Sequence, residues 1–188
     1  MNLLLGSQSP RRQQLLSALH IPFTVVKIEC EEHFPPDMQR DAIPMYLATQ
    51  KALAYHERLQ PDDVLLTADT IVWVERFKTM LGKPKNTKQA KEMLKMLSGR
   101  THQVYTGVRL TALKKNATFS CKTDVTFRKL TDNEIDYYID HFQPFDKAGA
   151  YGIQEWIGVT ACTSVKGSYF NVMGLPTHEV ATHLKKFV

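Results

Sequence analysis

The sequence predicts a mixed α/β fold, in which helices pack on a sheet that is partly antiparallel. Strand-like and helix-like patterns alternate along the 188 residues, which favours helices layered on a sheet. An almost continuous apolar run at 63–74 indicates a strand buried on both faces. Two β-rich runs at 102–113 and 117–129 predict a hairpin, so the sheet is not wholly parallel. We expect two lobes around a cleft.

The N-terminal segment has the pattern of a strand, a polar loop and a helix. Three leucines at 3–5 precede the loop, Ser9 suits the N-cap, and Pro10 suits the first helical position. Arg11 and Arg12 then fall in the first helical turn, where the helix dipole disfavours cations and favours anions. Loop N–H groups and two guanidinium groups could form a phosphate site there. An ordinary helix start with solvated arginines is the alternative.

The remaining elements follow from periodicity and from start and stop signals. Residues 22–29 predict a second strand that ends in an acidic cluster, and 41–58 predict a helix. After the strand at 63–74, we expect a polar turn at 77–80 and an exposed loop at 81–85. A helix at 87–98 should stop at Gly99.

The C-terminal third contains one strong helix signal and two weaker patterns. Thr131 and Glu134 have the spacing of a capping box, with Leu130 and Ile135 as its apolar staple. The weaker patterns are a strand near 157–165 and a closing helix at 176–187.

Composition limits the classes of protein that the chain can belong to. A hydrophobic content of 43% is typical of a globular protein. The net charge of +5 suits an anionic partner, although most of the basic residues could belong to an ordinary solvated surface. The three cysteines lie far apart, so we expect neither a disulfide framework nor a cysteine zinc site. No apolar run is long enough for a signal peptide or a membrane span, and we predict a cytoplasmic protein. The motifs of serine hydrolases, P-loop NTPases and Rossmann dehydrogenases are not found.

Asp69 is the first candidate for chemistry because it interrupts an apolar strand. A buried carboxylate needs a partner, a metal or a raised pKa. Asp69 could therefore be a base or metal ligand at a strand end. The structural alternatives are a carboxylate that holds a neighbouring loop by hydrogen bonds and a break in the strand at this residue.

Three further stretches offer groups that would suit a phosphate and a base. Glu29, Glu31 and Glu32 are hard oxygen ligands suited to Mg²⁺, although most of them could belong to a solvated loop. Lys83 could place a point charge on a phosphate, or could be an ordinary exposed lysine. Gln154 can donate and accept hydrogen bonds, as base recognition requires, although its stretch could equally be an irregular turn.

Six short stretches occur in a fixed order along nearly the whole chain. They are Ser7-x-Ser9-Pro10-Arg11-Arg12-x-x-Leu15-Leu16, Ala68-Asp69-Thr70, Gly82-Lys83-Pro84, Leu97-Ser98-Gly99 with His102-x-Val104 and Thr106-Gly107-Val108, Asp146-Lys147-Ala148-Gly149-Ala150-Tyr151-Gly152-Ile153-Gln154, and Gly174-Leu175-Pro176. Each is weak alone, but in register they resemble the Maf family of nucleoside triphosphate pyrophosphatases.

The resemblance implies one Maf-like domain over residues 1–188, with an elongated mixed sheet, two lobes, a central cleft and the inosine triphosphatase type of fold. It also implies a cytoplasmic enzyme that hydrolyses a nucleoside triphosphate to the monophosphate and pyrophosphate with a divalent cation (Mg²⁺, Mn²⁺ or Co²⁺). The Ala68-Asp69-Thr70 and Ala150-Tyr151-Gly152-Ile153-Gln154 versions look like the branch that acts on dTTP and UTP. The branch that acts on 7-methyl-GTP differs at these places.

Residue roles are carried over at matching positions only. Asp69 matches the proton acceptor, and Glu32 and Asp69 match the metal positions. The positions tied to substrate binding or choice are Ser7, Arg11, Arg12, Lys51, Thr70, Lys83 and Gln154, of which Arg11, Thr70 and Gln154 concern choice. Cys30 interrupts the acidic cluster, so Glu31 and Glu32 both stay open as the metal ligand.

Two other functions remain as alternatives. The chain could be a non-catalytic regulator of cell division that binds nucleotide or nucleic acid, or a phosphohydrolase that cuts at the γ-phosphate. Because aromatic and basic residues are not interleaved, we expect no stable nucleic-acid partner, and we expect no membrane partner. Three aromatic residues that we predict to be exposed suggest a homodimer: Trp73, Tyr137 and Trp156.

Overall fold

Seven strands form one mixed sheet in the computed structural model, which describes residues 1–187. Val188, the last residue of the predicted domain, lies outside the described residues. The strands are β1 (Asn2–Leu5), β2 (Phe23–Val25), β3 (Asp63–Val74), β4 (Thr79–Leu81), β5 (Thr101–Thr111), β6 (Asn116–Phe127) and β7 (Cys162–Lys166). Their order is β2-β1-β3-β5-β6-β7, and β4 pairs with β3. β1 is parallel to β2 and β3, whereas the β3–β4 and β6–β7 pairs are antiparallel, so the predicted mixed sheet is confirmed.

Helices connect most of these strands. They are α1 (Pro10–Ser17), α2 (Ala42–Tyr55), α3 (Thr87–Leu97), α4 (Asp132–Phe142), α5 (Trp156–Ala161), α6 (Tyr169–Met173) and α7 (Thr177–Leu184). Short 3₁₀ helices follow α2, β3 and α4. α4 begins with the predicted capping box, in which the Thr131 N–H donates to Glu134 Oε2 (2.8 Å) and the Glu134 N–H donates to Thr131 Oγ1 (3.3 Å).

The described chain divides into two units. Among the described residues, unit 1 comprises 1–70, 106–121 and 170–187, and unit 2 comprises 71–105 and 122–169. The core of unit 1 contains apolar side chains from β1, α1, β3, β5 and α7. In unit 2 α3 packs against α4, and aromatic rings of His102, Phe127 and Tyr151 meet edge to face.

Three strands and one helix agree closely with the prediction. β3 has the predicted limits, the hairpin forms from β5 and β6, and α3 ends one residue before its predicted limit. Gly99 follows that helix with φ of 70°, the left-handed conformation that suits glycine after a helix end.

The strand predicted at 22–29 is wrong in its length, since β2 covers only Phe23–Val25. β2 pairs with β1, and β1 ends at Leu5, so the residues beyond Val25 have little strand to pair with. The last backbone bond runs from the Val26 N–H to the Leu5 carbonyl (2.9 Å).

The strand predicted near 157–165 is also wrong in its first half, which forms α5. Ile157, Val159 and Thr160 are β-branched and favour a strand locally. A Cβ at Gly158 would lie 1.8 Å from the Ile153 carbonyl oxygen, so glycine permits a close backbone contact that the helix uses. The helix therefore forms with this close contact between residues five apart, although the single residues favour a strand.

The region after β3 is more ordered than predicted. The predicted turn at 77–80 is shorter, because Thr79 begins β4 and Lys78 makes the turn with φ of 47°. Leu81 and Pro84 are buried, although we predicted an exposed loop there. The closing helix predicted at 176–187 is shorter in the structure, where α7 covers Thr177–Leu184. The short helix α6 was not predicted.

Trp73 does not support the predicted homodimer, because it is 3% exposed and its indole N–H donates to Glu75. The residue lies in β3, and the predicted burial of this strand on both faces includes Trp73, so the expectation that its side chain is exposed is wrong. Tyr137 is 44% exposed and Trp156 is partly buried.

Candidate active site

An ammonium group between two carboxylates is the centre of the candidate site in unit 1. Lys51 Nζ lies 2.6 Å from Asp69 Oδ1 and 2.8 Å from Glu32 Oε1. The Lys51 and Asp69 side chains are each 14% exposed, and the Glu32 side chain is 48% exposed. Asp69 therefore has the partner that its place in an apolar strand demands.

Two elements bring Lys51 and Asp69 together. Lys51 lies in α2 and Asp69 in β3, and the Thr67 hydroxyl of β3 donates to the Ala48 carbonyl of α2 (2.7 Å). A Cβ at Gly107 would lie 2.3 Å from the backbone of Pro44 and Met45, so only glycine permits β5 to approach the start of α2 so closely. Helix α2 is thus held against the sheet at two points, and these contacts set the position of Lys51 relative to β3.

The acidic cluster separates into three different environments. Glu29 pairs with Lys27 (2.7 Å), and Glu31 lies 3.6 Å from the exposed His33. Glu32 alone of these three contacts Lys51. Of the two glutamates that the sequence left as alternatives, the structure therefore brings Glu32 to the Asp69 cluster.

Arg12 is held by three separate segments of unit 1. Its Nε donates to the Gly174 carbonyl (2.8 Å), Nη1 to Ser7 Oγ (3.3 Å) and Nη2 to Thr70 Oγ1 (3.1 Å). Burial lowers the pKa of Arg12 below its ordinary value, while Asp69 opposes this shift and Arg11 adds to it. Three of the five N–H groups of the guanidinium are used by these bonds, which leaves two for an anion.

The N-cap prediction for Ser9 is wrong in its chemistry. Ser9 occupies the N-cap position of α1, but its side chain makes no capping bond. Instead the Ser7 hydroxyl accepts the Ser9 N–H (3.3 Å) as well as the Arg12 bond. Ser7 therefore orders both the loop and the arginine, which explains why a hydroxyl is useful two residues before the N-cap.

The hydrogen-bond partners of the Thr70 hydroxyl were not predicted from the sequence. Thr70 Oγ1 lies 2.9 Å from Thr106 Oγ1, and the Thr106 hydroxyl donates to the Asn171 carbonyl (3.1 Å). Thr106 and Gly174 both lie in stretches that carried the family resemblance, but nothing in their spacing indicated a contact with Arg12 or Thr70. Gly174 has φ of 119°, a backbone conformation that favours glycine and presents its carbonyl to Arg12.

Lys83 and Gln154 belong to unit 2. Both side chains are exposed. The Gly149 N–H donates to the Gly82 carbonyl (3.0 Å), so the Lys83 loop and the 146–154 stretch are neighbours within this unit. Gly149 has φ of 69°, and a Cβ there would lie 2.8 Å from a methyl group of Val72.

The residues near Lys51 suit a cation that is shared with a ligand. Over residues 1–187 the structure contains no group of three or more His, Cys, Asp and Glu side chains that could hold a metal ion. Asp69 and Glu32 supply two carboxylates to one point, where an ammonium already lies. Mg²⁺ is commonly held by one or two carboxylates together with water and phosphate oxygens. The donor set therefore fits a divalent cation that binds with a phosphate, rather than one in an all-protein cage.

Comparisons with known proteins agree with the resemblance seen in the sequence. The family model described as "Maf-like protein" matches residues 2–187. A protein of Phocaeicola vulgatus named dTTP/UTP pyrophosphatase is 50% identical over 185 residues, covering 98% of this chain and 95% of its own. The proteins of the same name from Porphyromonas gingivalis and Flavobacterium johnsoniae are 48% and 45% identical, covering 98% and 99% of this chain and 94% and 95% of their own.

One solved structure is similar to part of this chain. The structure of the Staphylococcus aureus Ham1 protein has a TM-score of 0.49 and 12% identity, covering 68% of this chain and 72% of its own. Across residues 1–187, no helix is both long and apolar enough to cross a membrane. The match over residues 2–187 and the identities of 45–50% show that this chain belongs to the Maf family.

Proposed function

We propose that this protein is a nucleoside triphosphate pyrophosphatase that hydrolyses dTTP and UTP to the monophosphate and pyrophosphate. The observation that carries the proposal is the Asp69–Lys51–Glu32 cluster, in a chain half identical to a protein named for this activity. A carboxylate that can accept a proton and cationic groups that can bind phosphates lie in the same unit.

Asp69 accepts the proton of the attacking water in this proposal. Lys51 bonds Oδ1, so we assign the proton to the other oxygen, Oδ2. The ammonium holds the carboxylate in one orientation, as a base that accepts a proton from a positioned water requires. The water attacks the α-phosphorus, and the bond between the α-phosphorus and the bridging oxygen of the β-phosphate breaks.

Cationic side chains stabilise the charge that develops on the departing pyrophosphate. Arg12 directs its two remaining N–H groups to phosphate oxygens, and its three protein bonds keep the fork oriented before the substrate arrives. Ser7 supports that orientation. Lys83 is assigned to a phosphate as a point charge.

Glu32 and Asp69 are the residues that would hold a divalent cation, for which Mg²⁺, Mn²⁺ and Co²⁺ are the candidates. When bound, such a cation would neutralise phosphate charge and polarise the phosphoryl group. Lys51 would then move from both carboxylates or share them with the cation.

Arg11, Thr70 and Gln154 are assigned to the choice of nucleotide. Thr70 bonds Arg12 and Thr106 through its hydroxyl, so a change at this position would also alter the phosphate-binding arginine. Gln154 offers an amide that can donate to and accept from a pyrimidine edge. We also propose a cytoplasmic protein without a stable nucleic-acid partner, and a homodimer stays a prediction.

Product analysis tests the proposed function. The purified protein is incubated with each common nucleoside triphosphate, with and without Mg²⁺, and the products are separated by ion-exchange chromatography. We expect pyrophosphate and monophosphate, fastest from dTTP and UTP and dependent on the cation. Orthophosphate with a diphosphate would point to γ-phosphate hydrolysis, and binding without products would support a regulator; either result would overturn the proposal.

A further inference from the structure

We propose that Tyr138, Glu155 and Lys147 are positioning residues that clamp the turn bearing Gln154, and that this clamp sets how strictly the nucleotide base is selected. The inference rests on the proposed role of Gln154. It concerns residues behind the turn rather than residues that contact substrate. All of them belong to unit 2.

Gln154 lies at the tip of a tight turn. The Glu155 N–H donates to the Gly152 carbonyl (3.0 Å), which closes a four-residue turn with Ile153 and Gln154 at its centre. Ile153 is 5% exposed, whereas Gln154 is exposed. The turn therefore buries its apolar member and presents the amide to solvent.

One hydroxyl group contacts both ends of this turn. Tyr138 Oη accepts the Gly152 N–H (3.0 Å) and donates to Glu155 Oε2 through a short hydrogen bond. Tyr138 lies in α4 and is fully buried, so its position is set by packing. Burial and the bond to Glu155 raise the pKa of Tyr138, so the hydroxyl stays protonated and remains a donor.

A buried ammonium completes the clamp. Lys147 Nζ lies 3.0 Å from Glu155 Oε1 and 2.7 Å from Asp146 Oδ1, and its side chain is only 9% exposed. The Glu155 carboxylate is thus bonded on one oxygen by a lysine and on the other by a tyrosine. A buried charge pair with both partners satisfied has one preferred geometry, and that geometry fixes the backbone on either side of Gln154.

Two glycines leave room for this arrangement. A Cβ at Gly152 would lie 2.8 Å from the Glu155 carboxyl carbon, so the carboxylate packs directly on the turn backbone. A Cβ at Gly158 would collide with the Ile153 carbonyl, so α5 packs against the other side of the turn. The turn is therefore confined on both sides, and its Gly152 N–H donates to Tyr138 of the clamp.

The test compares Tyr138→Phe with Tyr137→Phe. The two changes remove the same atom from adjacent residues, but Tyr137 is exposed and its ring stacks on His141. For Tyr138→Phe we expect KM for dTTP to rise roughly tenfold, and the preference for dTTP over purine triphosphates to fall by a similar factor, with little change in kcat. Tyr137→Phe should behave as wild type.

A double-mutant cycle with Gln154→Ala separates positioning from a general structural effect. If the hydroxyl acts through Gln154, Tyr138→Phe has little further effect on preference once Gln154 is alanine. Lys147→Arg, which keeps the charge, should retain more of the preference than Lys147→Met. Additive effects of Tyr138→Phe and Gln154→Ala on preference would overturn the proposal.

Hydrogen exchange gives a readout that does not depend on activity. Protection of the Gly152 and Glu155 amides should fall in Tyr138→Phe and stay unchanged in Tyr137→Phe, whatever the enzyme hydrolyses. Unchanged protection in a folded Tyr138→Phe variant would contradict the clamp, and failure of wild type to hydrolyse dTTP and UTP would contradict only the proposed function. If Tyr138→Phe does not fold, Glu155→Gln replaces it, with the same expectations.

Discussion

Each unit contains one lysine between two carboxylates, and the two clusters differ in what surrounds them. In unit 1, Lys51 lies 2.6 and 2.8 Å from Asp69 and Glu32. In unit 2, Lys147 lies 2.7 and 3.0 Å from Asp146 and Glu155. The distances are nearly equal, so ion-pair geometry alone does not distinguish a reactive site from a structural one.

The two clusters differ at one carboxylate each, Asp69 in unit 1 and Glu155 in unit 2. The difference lies in what the oxygen that does not bond the lysine contacts. Glu155 gives its second oxygen to Tyr138, whose hydroxyl also holds the Gly152 amide. Asp69 bonds Lys51 through Oδ1, and Oδ2 is the oxygen to which we assign the proton. A carboxylate with both oxygens engaged holds a backbone in place, whereas one with a single engaged oxygen can be oriented and still react.

The largest effect on activity is expected from a substitution in the Lys51 cluster of unit 1. Asp69→Asn keeps the acceptor for Lys51 but removes the proposed base, so kcat should fall by roughly 10²–10⁴-fold. Pyrophosphate release from dTTP measures the loss, and circular dichroism checks the fold.

The matched control for this change is Asp63→Asn at the start of the same strand. Asp63 accepts the Gln60 N–H (2.9 Å), so this variant should lose stability and keep its kcat. Wild-type turnover in a folded Asp69→Asn variant would show that Asp69 is not the base.

The next effect concerns the turn of unit 2. Gln154→Ala removes the exposed amide and leaves the clamp, so the preference for dTTP over purine triphosphates should fall roughly tenfold, with a smaller change in kcat. Competition assays with paired nucleotides measure the preference. An unchanged preference across all nucleotides would remove Gln154 from substrate choice.

The stability of unit 2 should depend on pH through a buried histidine in its core, independently of the Lys51 cluster of unit 1. Burial lowers the pKa of His102 from its ordinary 6.5 to about 3, and its Nε2 lies 2.8 Å from the Tyr151 hydroxyl. Because the folded value lies below the unfolded one, protonation favours the unfolded chain. The contribution is complete above pH 6.5 and is lost as the pH falls toward 3.

Urea unfolding at pH 7.5 and 5.0 measures this contribution, and wild type should lose about 2 kcal/mol more than His102→Gln over that interval. The variant serves as the control for all other titrating groups. Equal losses in the two proteins would contradict a neutral, buried His102.

The smallest effect is expected from a substitution that lowers the stability of α4 without removing a bond of the clamp. Thr131→Ala removes the cap of α4, the helix that carries Tyr138, and should lower the free energy of unfolding by about 1 kcal/mol. Because the Tyr138 bonds remain, nucleotide preference should not change. A change in preference as large as that of Tyr138→Phe would mean that any weakening of α4 affects selectivity.

The sequence was most informative where local signals and burial agree. The limits of β3, the stop at Gly99 and the capping box of α4 follow from an apolar run, a glycine and a Thr–Glu spacing. The predictions were wrong where strand pairing or close backbone contacts decide. β2 ends where its partner β1 ends, and in α5 Gly158 packs closely on the Ile153 carbonyl although its neighbours favour a strand.

The candidate site shows the same division. The sequence by itself determined that Asp69 needs a partner, because an apolar strand cannot leave a carboxylate alone. It also determined the family, through motifs in order along the chain. It did not determine whether Glu31 or Glu32 meets Asp69, since both lie in one loop and only the folded path of that loop brings Glu32 to Lys51.

The clamp is the clearest case of a feature that only the tertiary structure decided. Lys147 and Glu155 are close in sequence and could have been paired by inspection, but Tyr138 enters from a different helix. Side-chain hydrogen bonds between separate elements depend on packing to within a few tenths of an ångström, and residue spacing does not encode that precision. The sequence specifies which chemical groups are present, and the fold specifies which of their atoms are left to react.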